Sequence, residues 1–411
     1  MRLSTFRLLT CASLLFSLFL SNAMASTKGD WQKALRKDTI EAYEKFLQKH
    51  PDSEFTNEAK QRVDKLRFDE ALQKDELPYY EKFVENYPES RFLPEAKGRI
   101  TSRMTSLRSV PIRKIALRSE RLGETGSQFE RPLKEMLEEM GIEVTPTGSA
   151  GCDAELTLSD LKRGVTGAVS FALSIPNLGP YSSPGGTVRG TAVPTSYAVL
   201  LTVSLHHREA GAVFQKDIWG NMVGKFLGLG PDPDSEQARS LREKSLIENV
   251  ELEVPTLLVT YFGAERFHSA VPALAGELKS ATWSRKRAVI SLLGELGTKQ
   301  AVPVLVSDGL TDRRNTIREA ACQALAKIRD GTAVAPLVEI LKKDDAFVRK
   351  DAARALGEIG DPTGSEALIV ALSDESENVR KEAADALKKI TKQGFGLDKE
   401  RWLEWWTKQK K

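Results

Sequence analysis

The stretch VRKDAARALGEI (Val348–Ile359) decides how the C-terminal third of this chain is read. Taken alone, with Gly357 and Gly360 three residues apart, it invites a Gly-x-x-Gly clamp for phosphate or nucleic acid. It does not stand alone. IREAACQALAKI (Ile317–Ile328) precedes it by 31 residues and VRKEAADALKKI (Val379–Ile390) follows at the same interval. RKRAVISLLGEL (Arg285–Leu296) is an earlier, more divergent copy. Gly357 aligns with Ala326 and Lys388, and Gly360 with Arg329 and Thr391. A loop that needed glycine backbone freedom would not repeat in this way. Gly357 reads as a small residue at a helix contact, and Gly360 as a helix C-terminus followed by the Asp361-Pro362 turn.

Between these copies run AVPALAGEL (Ala270–Leu278), AVPVLVSDGL (Ala301–Leu310), AVAPLVEIL (Ala333–Leu341) and SEALIVAL (Ser365–Leu372). Each unit is therefore two amphipathic helices joined by short turns. Val348, Ala352, Leu356 and Ile359 form one apolar stripe at helical spacing. One hairpin cannot bury such a stripe alone, so neighbours must stack into a right-handed solenoid. The sequence resembles bacterial HEAT-like repeats, including the short type of the phycobilin lyases. In such repeats an arginine at this point pairs with acids of adjoining turns. The resemblance thus implies a ladder of Arg318, Arg349 and Arg380 with Asp344, Asp345 and Asp374. The chain closes on GFGLDKERWLEWWTKQKK (Gly394–Lys411), where Trp402, Leu403 and Trp406 share a helical face as an apolar lid on the last repeat. Trp405 is left facing outward as a candidate partner contact.

A second repeat lies near the other end. YEKFLQKHPDSEFTNEA (Tyr43–Ala59) returns 37 residues later as YEKFVENYPESRFLPEA (Tyr80–Ala96). Tyr43, Phe46 and Leu47 share a helical face, Pro51 stops that helix and Ser53 is placed to cap the next. The pattern resembles the tetratricopeptide-like repeats of bacterial envelope proteins, particularly the helical part of outer-membrane assembly lipoproteins. Between the two systems the order changes to strand, helix, strand and meander, the mark of a small α+β domain. That order resembles modules of periplasmic lipoproteins that serve secretion and outer-membrane assembly. Within it, Gly164–Pro194 carries six glycines, four prolines and one charge, and reads as a long loop. Phe171 and Tyr181 are its candidate partner contacts, and its apolar residues suit either the sheet or a membrane surface.

The first 25 residues stand apart. Arg2 and Arg7 precede an apolar run, Leu8–Leu20, and Ala23-Met24-Ala25 offers a signal-peptidase site. The expected architecture is multi-domain: a signal peptide at 1–25, all-α tetratricopeptide-like hairpins at 27–105, a small α+β domain at 110–262, a HEAT-like α-solenoid at 268–393 and a capping helix at 394–411. Two arginines and no acids leave with the signal, taking the formal net charge from +3 to +1. That balance gives no support to nucleic-acid binding.

The search for chemistry yields no catalytic, cofactor or metal assignment. His206 and His207 adjoin in a predicted strand and face opposite ways, so they cannot easily share an ion. GNMVGKF (Gly220–Phe226) lacks the Ser or Thr that would hold magnesium in a phosphate loop. DPDSE (Asp232–Glu236) lacks the alternating ligands of a calcium loop and reads as a helix start. Cys152 and Cys322 fall in different expected domains, which disfavours a disulfide between them. The expectation is a non-catalytic scaffold or adaptor, exported to the periplasm or cell envelope after cleavage near Ala25, with protein partners. Membrane contact is admitted but not required. The alternatives are an accessory subunit of an outer-membrane assembly or secretion system, and a lyase or chaperone-like enzyme by analogy with the chromophore-attaching HEAT proteins.

Overall fold

The computed structural model describes residues 26–120, 122, 126–147, 149, 151–165, 169–174, 187–192, 198–220, 235–279 and 281–409, and only the backbone at 127, 239 and between 162 and 200. The proposed signal peptide and Tyr181 lie outside the described residues. The chain divides into two compact units after Ser106.

The first unit is helical: α1 at 26–37, α2 (Ile40–Lys49), α3 (Thr56–Lys74), α4 (Leu77–Asn86) and α5 (Leu93–Leu107). The repeat reaches further back than the quoted copies. Trp31 stacks on Phe55 at 5.3 Å and, 37 residues on, Phe68 stacks on Phe92 at 4.9 Å. Tyr43 and Tyr80 are fully buried, and their hydroxyls donate to Asp38 (2.5 Å) and Asp75 (2.8 Å). Both aspartates hold left-handed backbone, with φ of 44° and 50°. Aspartate tolerates that region better than most residues because its short polar side chain bonds locally. Ser53 does not cap α3. Phe55 occupies the N-cap without a side-chain bond, and its ring lies on Trp31 instead.

The second unit begins with a five-stranded mixed sheet, β1 (Lys114–Ser119), β2 (Glu143–Pro146), β3 (Ala154–Val165), β6 (Ala198–His207) and β7 (Gly211–Trp219), in the order β2-β1-β3-β6-β7. β1 runs parallel to β2 and β3, and the meander β3-β6-β7 is antiparallel. Leu117, Leu156 and Leu205 are neighbours across the strands, and all three are buried. His207 is buried as well. Its Nε2–H donates to the Pro111 carbonyl at 2.8 Å, while Nδ1 accepts from the amides of Glu209 and Ala210. A neutral imidazole satisfied on both sides is a structural bolt.

The segment read as a long loop holds regular structure. β4 (Val169–Ser174) and β5 (Thr187–Ala192) pair as an antiparallel ribbon, with Phe171 opposite Gly190. The glycines and prolines that signalled a loop hid the period-2 alternation of Val169, Phe171 and Leu173.

Helix α6 (Gly126–Glu139) packs on β1 and β2 and on α7 (Glu236–Phe262), which also covers β6 and β7. Ser235 caps α7, its Oγ accepting from the Ala238 amide. Helix pairs follow: α8 (Val271–Glu277) with α9 (Trp283–Leu296), α10 (Val302–Val304) with α11 (Asn315–Ile328), α12 (Val334–Lys343) with α13 (Ala346–Ile359), and α14 (Ser365–Ala371) with α15 (Glu377–Thr391). The second helices stack in series, and α7 packs on the first of them. Leu293, Leu325, Leu356 and Leu387 recur at the same place in the interior, each at most 1 % exposed. A Cβ on Gly294 would come within 2.8 Å of Ala324 Cα, and one on Gly357 within 2.8 Å of Ala386 Cα. These glycines let the backbones of stacked helices approach.

Gly360 ends α13 in left-handed backbone (φ 76°). Its counterparts are Gly297, Arg329 and Lys392, so the equivalent residue in the last pair is Lys392, one position beyond the aligned Thr391. Helix α16 (Lys399–Gln409) packs on α14. Trp402 is fully buried, edge-on to Phe395 at 4.9 Å, and donates its indole N–H to the Gly396 carbonyl. Leu403, expected on the same face, is instead 45 % exposed.

Candidate interaction surface of the stacked repeats

The polar residues of the repeats are arranged in rungs that cross from one helix pair to the next. Arg318 grips Asp344 with two parallel bonds, Nε to Oδ2 at 2.7 Å and Nη2 to Oδ1 at 2.5 Å. Arg349 grips Asp374 in the same way, both at 2.8 Å, and reaches Glu375 at 3.1 Å. Each arginine also turns Nη1 back to the carbonyl of its own repeat's turn, Arg318 to Asp312 (2.9 Å) and Arg349 to Asp344 (2.7 Å). Bidentate guanidinium–carboxylate pairs are among the stronger polar contacts available, and their planar fit fixes the register of the stack. Burial alone would raise the Asp344 carboxyl, but the Arg318 hydrogen bond and the Asp345 amide outweigh it and hold it below the usual carboxylate range.

The remaining ladder residues differ in detail. Asp345 is chiefly the N-cap of α13, accepting from the amides of Phe347 and Val348, and stands 3.6 Å from Arg318. Arg380 departs from the expected pairing: its Nη1 donates to the carbonyls of Asp374 (2.7 Å) and Glu375 (3.1 Å), and it has no carboxylate partner among the described residues.

Sequence reasoning missed an earlier rung. Lys286 takes the arginine's column in the first pair and donates to Asp312 at 3.0 Å. The signal was present, because Asp312 precedes Ile317 by five residues as Asp374 precedes Val379. Parallel rows flank the rungs. Gln323 donates to buried Asp351 at 2.7 Å, Arg354 holds Glu382 at 3.1 Å, and Glu358 receives both Arg329 and Lys389 at 2.7 Å.

A different polar knot ties the sheet region to the repeats. Arg285 is buried where α6, α7, α8 and α9 converge. It donates to Glu139 (2.7 Å), Glu277 (3.0 Å) and Glu251 (3.2 Å), and to the Pro132 carbonyl (3.3 Å). One cation cannot balance three carboxylates in a desolvated site. Burial and a hydrogen bond with Glu277 accordingly push the Glu139 carboxyl up to about 8, while Glu277, bonded to Glu139 and Arg285, stays below its usual value.

Two of the grooves on this framework run along its helices. One, about 300 Å³, lies along the stacked second helices and is lined by Leu252, Arg287, Ser291, Glu319, Ala320 and Lys327, among others. The other, about 580 Å³, runs between α12, α14 and the start of α16. Val338, Leu341, Ala367 and the 61 % exposed Val370 form its apolar side, with Lys399 among its polar lining. Trp405 is half-buried rather than outward, edge-on to Trp402 at 6.2 Å. Phe171 is placed by its backbone alone in β4. The described residues contain no group of His, Cys, Asp or Glu arranged to hold a metal.

Cys152 and Cys322 are both free thiols. No curated protein matches the chain. The family model of HEAT repeats matches residues 271–357 and 334–396. HEAT repeats thus make up the C-terminal region of the chain, residues 271–396.

Proposed function

We propose that this protein is a non-catalytic, exported scaffold of the bacterial cell envelope that binds protein partners through its helical repeats. The HEAT region carries the reading. It is a stack with many of its polar groups committed to rungs between repeats, which leaves the grooves along the helices for recognition. Extended surfaces of this kind suit contact with another polypeptide better than enclosure of a small molecule. The N-terminal hairpins, read as tetratricopeptide-like, supply a second binding arm, and export rests on the signal-like first 25 residues. The test is crosslinking in intact cells followed by affinity capture of the tagged full chain. Recovery of a defined partner that is lost with substitutions in the α12–α14 groove supports the reading. A chain that stays in the cytoplasm, or recovers no partner, sinks it.

A narrower form, an accessory subunit of an outer-membrane assembly or secretion system, draws on the strand–helix–strand domain together with the 37-residue hairpins. Fractionation separates the two, because a subunit of that kind must co-sediment with outer membrane.

A further inference from the structure

The rungs repeat closely enough to show where one is incomplete. In the second rung Arg318 meets Asp344 with Asp345 beside it, and in the third Arg349 meets Asp374 with Glu375 beside it. Each cation thus has two carboxylates on consecutive residues. In the first rung Lys286 meets Asp312, but the next residue is Arg313. The second carboxylate is replaced by a cation.

Asp312 cannot compensate. Its Oδ2 takes the Lys286 ammonium and its Oδ1 takes the Arg314 amide. Burial would raise this carboxyl, yet the Arg314 amide and Lys286 hold it below its usual value, so it stays ionised with both oxygens already engaged. Around this rung is a cleft of about 560 Å³ lined by Lys279, Lys286, Arg313 and Arg314, facing only Asp308 and Asp312. Asp308 is itself bonded by the Ser307 hydroxyl. Among the described residues Lys279, Arg313 and Arg314 form no ion pair. The Arg314 guanidinium lies over the Trp283 ring at 5.7 Å, which holds it at the cleft rim.

We propose that this cleft docks an Asp- or Glu-rich segment of a protein partner, one of whose carboxylates takes the place that Asp345 and Glu375 fill in the following rungs. The proposal rests on the reading of the HEAT region as a protein-binding scaffold and names the chemistry of the partner. The molecule's own rungs supply the reason for a carboxylate over other anions. A carboxylate is the group that this spacing accepts twice elsewhere, beside a cation held in the same register.

The test is fluorescence anisotropy of a labelled (Asp-Glu)5 peptide, against an (Asn-Gln)5 control, on the full chain at about 0.1 M salt. Arg313→Asp rebuilds the rung internally. It should weaken acidic-peptide binding at least about tenfold, roughly the loss of one charge-assisted contact, and leave the melting temperature unchanged or higher. Lys388→Asp makes the same net-charge change on an exposed site of α15 and should leave binding within about twofold, because screening confines charge effects to about 10 Å. If Arg313→Asp melts early, Arg313→Gln takes its place with the same expected loss. Equal binding by the Arg313 variant, or equal loss in Lys388→Asp, overturns the proposal. So does an Arg313-dependent affinity for phosphatidylglycerol vesicles without affinity for the peptide. In affinity capture, a partner recovered equally by wild type and Arg313→Asp leaves the scaffold reading standing and removes this site. A wild type that recovers nothing removes the reading itself.

Discussion

The two repeat regions solve the same problem with opposite materials. In the 37-residue hairpins the contacts are large rings: Trp31 on Phe55, Phe68 on Phe92, and Tyr43 and Tyr80 bolted to left-handed aspartates. In the 31-residue pairs the contacts are small. Alanine and glycine bring backbones together, and arginine–aspartate rungs set the spacing. Rings bury much apolar area per residue and tolerate some slack in helix separation. Close backbone approach tolerates none, so register must be fixed by directional polar pairs. The first design resists loss of a polar group and suffers from loss of a ring. The second behaves the other way round.

Phe68→Ala should be the most damaging of the substitutions that probe this contrast. Phe68 is 2 % exposed, stacked on Phe92 and tilted against Phe83, so the loss is about 3–5 kcal/mol for the first unit. A two-phase melt in which the early phase alone moves down checks this, and a single unshifted transition contradicts it. Arg349→Ala comes next. It leaves half-buried Asp374 without its guanidinium partner, and hydrogen bonds to charged groups contribute about 1.5–3 kcal/mol each, so a loss of about 2–3 kcal/mol with reduced cooperativity is expected in circular dichroism. Unaltered unfolding would take the rungs out of the stability account and leave small-residue packing to hold the stack.

The smallest effect concerns the Arg285 knot, where charge is in excess. Glu139 is ionised above about 4.5 in an unfolded chain and stays protonated in the folded one up to about 8. Folding therefore takes up a proton between those values, and this stabilisation is complete in acid and fades as pH rises towards 8. Glu277 is held down instead, so its contribution is already constant above its ordinary range. Glu139→Gln keeps a neutral hydrogen-bonding group. It should flatten the decline in melting temperature between pH 6 and 9, with the variant melting above wild type at the alkaline end. Parallel curves for the two proteins would show that Glu139 does not titrate in this window.

The parts of this arrangement that were legible in the sequence are those that repeat. Offsets of 31 and 37 residues placed the helices, and the recurring arginine column anticipated the Arg318 and Arg349 rungs. What repeats imperfectly was lost. Lys286 is a lysine where its followers are arginines, and the one-residue shift of the last helix end assigned Thr391 to the place of Lys392. Gly164–Pro194 misled because its glycines and prolines outweighed the strand alternation between them. The Arg285 knot had no sequence signal, since its acids lie 146, 34 and 8 residues away and meet only when four helices converge. Pairing of that kind is a property of packing, not of local pattern.

Cys322 gives the stack a clock. Its thiol is sealed inside α11 with no exposed surface, and burial drives its ionisation far above the ordinary thiol range. The thiolate is the species that attacks an alkylating or disulfide reagent, so Cys322 can react only while neighbouring repeats stand apart. Partly exposed Cys152 is modified first and calibrates the reagent. The slower second labelling event then counts how often the solenoid breathes, without any added probe.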